Sequence, residues 1–150
     1  MPAHGFVPQK GSELCEGAAC KAIELNDASL KASGPPLAAL LFDSITEAVG
    51  VAAGRIVVSG SHGGASSGRF ALQAAPRLAV FNDAGVGKDQ AGIAALAMLQ
   101  AAGIAACTVA HTSARIGDSR STLDDGVISQ VNTAAAAMGL RVGVRLREAL

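Results

Sequence analysis

The stretch "RIVVSGSHGGASSG" (Arg55–Gly68) decides the fold. Three β-branched residues, Ile56, Val57 and Val58, run straight into a loop made of Gly, Ser and one His. The chain then reads as a helix through "GRFALQAA", started by Ser66 or Ser67 and ended by Pro76. A short, continuously apolar run bounded in this way is the signature of a strand covered on both faces.

The same sentence recurs twice downstream. "RLAVFN" (77–82) leads through "NDAGVGKD" to a helix that Asp89 caps and that runs to about Ala102. Ile93, Leu96 and Leu99 form its apolar face and Gly103 is its stop. "IAACTVAH" (104–111) leads through "HTSARIGDSRSTLDD" to a helix that starts at Thr122 or Asp124. It continues through "GVISQVNTAAAAMG", with Val127, Val131, Ala135 and Met138 inward and Gly139 as its end. Strands that alternate with helices imply parallel pairing through right-handed crossovers. The expected architecture is a single three-layer α/β domain over 1–150, with a mostly parallel sheet flanked by helices, Rossmann-like or flavodoxin-like. Upstream, "SGPPLAALLFDSITEAVG" has Leu37, Leu40, Leu41, Ile45 and Ala48 spaced for one helix face, with prolines at its start. The tail "LRVGVRLREAL" alternates as a strand does, and a terminal helix from Val144 is its rival. Residues 1–34 are the least legible, and "CKAIELND" within them reads as a strand or the end of a helix.

Bulk composition narrows the function. The chain has 150 residues, enough for one domain with a substantial core. Half of them are apolar, and the mean hydropathy is +0.38, which excludes a disordered chain. Twelve basic and twelve acidic residues cancel, so no electrostatic footprint points to nucleic acid or to an anionic membrane. Trp and Tyr are absent and there are four Phe, too few for base-stacking platforms. A core of Ala, Val, Leu and Ile buries little area per residue, which association supplements, so a homo-oligomer is expected. The N-terminus "MPAHGFVPQKGSELCEG" lacks the apolar region of a secretory signal, and no apolar run reaches membrane-spanning length. Cys107 sits in an apolar run as a small hydrophobe. Cys15 and Cys20 are five apart, which suits neither a zinc ribbon nor a redox pair. Reduced thiols and a cytoplasmic location are expected.

Chemistry concentrates in the three strand-to-helix loops. In a parallel sheet they all leave the carboxyl edge, where ligands bind near the switch point of strand order. The reverse connections, "AAP", "AAG" and "AMG", are terse, and this asymmetry marks the carboxyl edge as the site. In the first loop, Gly63 and Gly64 free the backbone amides to face an anion, and Ser61 and Ser66 add hydroxyl donors. The ending G-K-[ST] is missing and the glycine spacing is not G-x-G-x-x-G, so neither nucleotide motif is present. The plain alternative is a tight turn with capping serines. His62 and His111, at the ends of two strands, are candidate acids or bases, and Asp83 is the expected orienter of His62. Asn82, Lys88 and Ser113 are candidate substrate contacts. Arg115 is a candidate carboxylate or phosphate clamp that Asp118 steadies, although a surface ion pair would look the same. A metal version would recruit His62, Asp83, His111 and Asp118. No pair of them has ligand spacing, so no metal is expected, and the cofactor stays open.

The strand ending in "SHGG" resembles the His-Gly turn of caspase-like cysteine peptidases. In that family the next strand ends in an Asp-Ala-Cys turn that carries the nucleophile. The corresponding place here reads Asn82-Asp83-Ala84-Gly85, so the attacking thiolate is missing. "HGG" also resembles creatininase-like metal hydrolases, whose further ligand motifs this chain lacks.

The expectation from sequence is therefore an enzyme, a hydrolase, lyase or isomerase, acting on a small anionic metabolite without nucleic acid or membrane as partner. The alternatives are a non-catalytic sensor that binds a metabolite or nucleotide, and a self-associating scaffold.

Overall fold

A computed structural model describes residues 21–24 and 38–150. Six strands form one sheet: β1 (Lys21–Glu24), β2 (Ala38–Phe42), β3 (Ile56–His62), β4 (Leu78–Asn82), β5 (Ala105–Val109) and β6 (Ile128–Val131). They lie side by side in sequence order. β2 to β5 are parallel, and the outer strands β1 and β6 run antiparallel to their neighbours. The helices are α1 (Ala65–Ala74), α2 (Ala94–Ala101), α3 (Ser119–Asp125), α4 (Thr133–Ala137) and α5 (Leu146–Ala149). The three-layer α/β architecture read from the sequence is the one observed.

Strand alternation divides the core into two halves. Leu40, Phe42, Val57, Ala79, Phe81 and Ala106 face one side, packed under Ala71, Ala95, Leu96 and Leu99 of α1 and α2. Ala39, Leu41, Ile56, Val58, Leu78, Val80, Cys107 and Val109 face the other, under Leu123, Ala135 and Leu146 of α3, α4 and α5. The parallel strands β2 to β5 must therefore be buried at consecutive positions, which is why they carry no polar alternation. Each large side chain so buried contributes about 1.5–3 kcal/mol. Burial also pushes the Cys107 thiol up to about 12, so it stays protonated and behaves as a hydrophobe.

Five parts of the sequence reading differ from the structure. The expected helix over "SGPPLAALLFDSITEAVG" is strand β2 followed by a 3-10 turn, Ile45–Ala48. Five consecutive buried residues, AALLF, fit a two-sided strand as well as a helix face, and pairing with β3 decides between them. The lower part of that reading, Leu37 and the prolines, lies outside the described residues, as do Cys15 and Cys20. The long helix expected from Thr122 or Asp124 is three elements, α3, β6 and α4. Asp118 caps α3 through Ser121 N–H at 2.9 Å. α3 stops at Gly126, where a Cβ would lie 2.7 Å from Val109 Cγ1, and the chain then enters β6. Asp89 caps nothing: it sits at φ 56° inside a 3-10 segment, Lys88–Ile93, and α2 begins after it. The tail is helix α5, the rival reading, with Arg145 bridging to Val127. α1 likewise takes Gly64 as its N-cap, with Ser66 and Ser67 inside its first turn.

Right-handed crossovers between strands laid down in one direction place every connection on one face. That holds up to β4, whose connection α2 lies beside α1. The connection leaving β5 goes the other way: α3 packs beneath β3 and β2 on the opposite face. The strand order has no reversal, so the expected switch point is absent in that form. The divergence of the loops after β4 and β5 opens the crevice instead. The loop after β5 is held against β3, where Gly117 N–H donates to Gly60 O at 2.6 Å. A Cβ on Gly60 would collide with the Asp118 amide and lie 2.9 Å from Asp43 O. Among the described residues no helix is long and apolar enough to cross a membrane.

Because the obstacles at Gly60 are backbone atoms, Gly60→Ala is expected to destabilise the fold by about 1–3 kcal/mol. A lowered urea midpoint with an unchanged m-value would show it.

Candidate functional site

Asp83 follows directly from β4 and is buried. Its Oδ1 accepts from Gly85 N at 2.8 Å and from His111 N at 3.0 Å, and it lies 3.3 Å from His111 Nδ1. Burial by itself raises the carboxyl pKa. Hydrogen bonds from Gly85 N–H, the Ser129 hydroxyl, His111 N–H and the His111 ring outweigh it and hold the group below the ordinary carboxylate range. An ionised carboxylate only accepts, so Nδ1 of His111 is the donor and the neutral ring offers a lone pair at Nε2. The side chain of Asp83 is 7 % exposed and that of His111 is 55 % exposed, so a fixed charge orients an accessible imidazole. The carboxylate expected to orient His62 orients His111 instead.

Two hollows adjoin at Ala84. One, of about 560 Å³, lies between the loops after β4 and β5 and is walled by Asn82, Ala84, His111, Ser113, Arg115 and Ile116, with Ser121 and Asp125 behind. The other, of about 420 Å³, lies between the loops after β3 and β4, with His62, Gly64, Ala84 and Val86 in its wall. The candidate residues thus divide. His111, Asn82, Ser113 and Arg115 share the first hollow, and His62 and Gly64 belong to the second. Ser61, Gly63, Ser66, Asp83, Lys88 and Asp118 line neither.

Several candidates have structural employment. Ser61 Oγ accepts from Ile45 N at 2.9 Å. Ser113 Oγ donates to Ala110 O at 2.7 Å and accepts from Val127 N at 2.9 Å, tying the third loop to the start of β6. Asn82 is buried, donating to Ala114 O and accepting from Ala84 N. Asp118 caps α3, and its contact with Arg115, 3.8 Å and exposed, contributes little. Lys88 is exposed in the 3-10 segment.

The expected amide cradle at Gly63 and Gly64 is overturned. Gly63 N donates to Asn82 O at 2.9 Å and Gly64 N to His62 Nδ1 at 3.0 Å, so both amides are engaged. Neither residue has positive φ. Glycine is needed there for close approach: a Cβ on Gly63 would lie 2.8 Å from Gly92 O, and one on Gly64 2.8 Å from His62 Nδ1.

Sequence reasoning missed the second loop's conformation. Ala84, Gly85, Val86 and Gly87 all have φ between 51° and 79°. For the β-branched Val86 that is a strained backbone, and strain of this kind collects at functional sites. Asn82 and Asp83 stabilise the turn by accepting from the amides of Ala84 and Gly85. Ser121, Asp125 and Ser129 were missed too. Ser121 Oγ accepts from Arg115 N at 3.0 Å and donates to Asp125 Oδ2 at 3.1 Å. The period-two run "ISQV" after Gly126 was the available signal for Ser129. Among the described residues no group of three His, Cys, Asp or Glu is placed to hold a metal ion, and the set His62, Asp83, His111 and Asp118 is not brought together.

The low folded pKa of Asp83 sets a sign for pH dependence. Its contribution is present in full above about pH 4, the ordinary carboxylate value, and disappears as pH falls through the lower folded value. Asp83→Asn keeps an Oδ1 acceptor and removes the charge. The difference in Tm between wild type and Asp83→Asn is therefore expected to shrink from pH 5 to pH 2, and a constant difference would contradict the assignment. No family model, no curated protein and no solved structure matches this chain, so its chemistry is read from this geometry.

Proposed function

We propose that the crevice between β4 and β5 is the site of an acid–base enzyme acting on a small anionic molecule, as a hydrolase, lyase or isomerase. The observation that carries this reading is the contact between Asp83 and His111. A buried carboxylate fixes the tautomer of an exposed imidazole whose free Nε2 can take a proton. Arg115, in the wall of the same hollow, supplies a guanidinium for a carboxylate or phosphate. The serines beside them, Ser113 and Ser121, already donate to protein acceptors. An attacking group would then be water, or the base would remove a proton from the substrate itself.

Those same engaged serines favour a second reading, a domain that binds an anionic metabolite without turning it over. Turnover separates the two. Screening small carboxylates and phosphate esters for product is expected to find a substrate whose kcat drops about 100-fold or more in His111→Gln, while Arg115→Gln mainly raises KM. Ligands that raise Tm without product, in wild type and variant alike, would favour the binding reading.

A further inference from the structure

We propose that His62 and His111 form a complementary pair across Ala84, His62 presenting a ring N–H to a ligand oxygen and His111 presenting a ring lone pair that takes a proton, and that the pair fits a small carbonyl compound bearing a carboxylate. The proposal rests on the acid–base reading of the crevice and assigns its substrate class.

The pairing starts from the backbone. His62 pairs with Asn82, and Asn82 pairs with Val109, so three strand ends stand abreast. His62 and Val109 are two strand spacings apart, about 10 Å, and His111 follows Val109 by two residues. Ala84 stands in the wall of both hollows, so a small ligand over it reaches either side.

The hydrogen-bond partners then force opposite tautomers. A backbone N–H only donates, so the bond from Gly64 N to His62 Nδ1, at 3.0 Å, requires a lone pair on Nδ1. The neutral His62 ring therefore carries its proton on Nε2. At His111 the partner is a carboxylate, the proton is on Nδ1 and the lone pair is on Nε2. Gly64 is a positioning residue for this arrangement. A Cβ there would lie 2.8 Å from Nδ1 and 2.9 Å from Cε1 of His62, and the ring, at the end of its side chain, would swing away.

Such a pair suits proton removal next to a carbonyl. His111 Nε2 takes the proton from carbon and the C–H electron pair becomes the new C=C bond. The C=O pair moves onto oxygen, which accepts from His62 Nε2–H, and return of the proton to carbon completes the exchange without redox change. Arg115 holds the carboxylate. The Gly63 and Gly64 amides are already bonded, so the oxygen's donor on that side is the imidazole that the Gly64 amide orients.

The test uses the full chain. Long-range 1H–15N NMR of the neutral rings, assigned with His62→Gln and His111→Gln, is expected to show His62 as the Nε2–H form and His111 as the Nδ1–H form. Two like tautomers, or averaged ones, overturn the pairing. Gly64→Ala is expected to move the His62 signals and leave those of His111 in place. A His62 ring that stays put in a folded Gly64→Ala protein removes the positioning role. Titration with a carboxylate-bearing hydroxamate, a planar enolate mimic, is expected to shift both rings, and His62→Gln to weaken its binding about tenfold or more. A mimic that does not bind, or that binds His62→Gln as tightly as wild type, overturns the substrate class. The tautomers are read without substrate, so a failure of this pairing is distinct from a failure of the catalytic reading, which turnover decides.

Discussion

The Oδ1 oxygen of Asp83 is the point on which the carboxyl edge is assembled. It draws in the amide of Gly85, and with it the start of a left-handed loop, and it draws in the amide and ring of His111 from the neighbouring strand's loop. The charge is sustained in a nearly closed position because several donors converge on it, and convergent donors make ionisation favourable despite burial. Two loops remote in sequence thus share one acceptor. Removing the charge leaves those donors, the His111 ring among them, with a weaker acceptor.

Asp83 occupies that position because of how the sheet is covered. The connections up to β4 stack α1 and α2 on one face, and the connection after β5 dives beneath the other. Neighbouring loops that part in this way leave a gap over the strand ends, and the carboxylate at the end of β4 meets that gap through His111, which stands in its wall. Asn132 performs a related service lower in the fold. Buried at the N-cap of α4, it accepts from Ala106 N and Ala135 N and donates to Leu96 O and Ile104 O, joining strand, loop and two helices. The side-chain polar atoms that the described residues bury all have partners, as expected where each unsatisfied group would cost about 1–3 kcal/mol.

The site is built from side-chain acceptors rather than bare glycine amides. Asn82, Asp83 and His62 each accept from a backbone N–H two residues on. These bonds hold a loop whose φ values are unfavourable for Ala84 and Val86. Glycine serves the first loop by the absence of Cβ, which lets the Gly92 carbonyl and the His62 ring close in. A polar, glycine-rich loop after a strand therefore marks a place where chains approach, and the identity of the bonded amides decides whether an anion can enter.

The sequence alone determined the α/β class, the three strands within the runs that open at Arg55, Arg77 and Ile104, and the concentration of polar side chains at one edge. These follow from local patterning: β-branched runs, helix stops at Gly and Pro, and short return loops. It placed β2 in a helix, since a run buried on both faces has no period to distinguish strand from helix and only pairing with β3 resolves it; it also ran one helix from Thr122 or Asp124 through β6 and α4, passing over the period-two run of β6, which pairing with β5 makes a strand. The partner of Asp83 was likewise a tertiary decision. His62 and His111 stand at comparable strand ends, and nothing local distinguishes them. The direction in which the loop after β5 leaves the sheet brings His111 to the carboxylate and leaves His62 to the amide of Gly64. Residue types and their order set what chemistry was available; which donor meets which acceptor depended on contacts 28 residues apart in the chain, and those exist only once the sheet has closed.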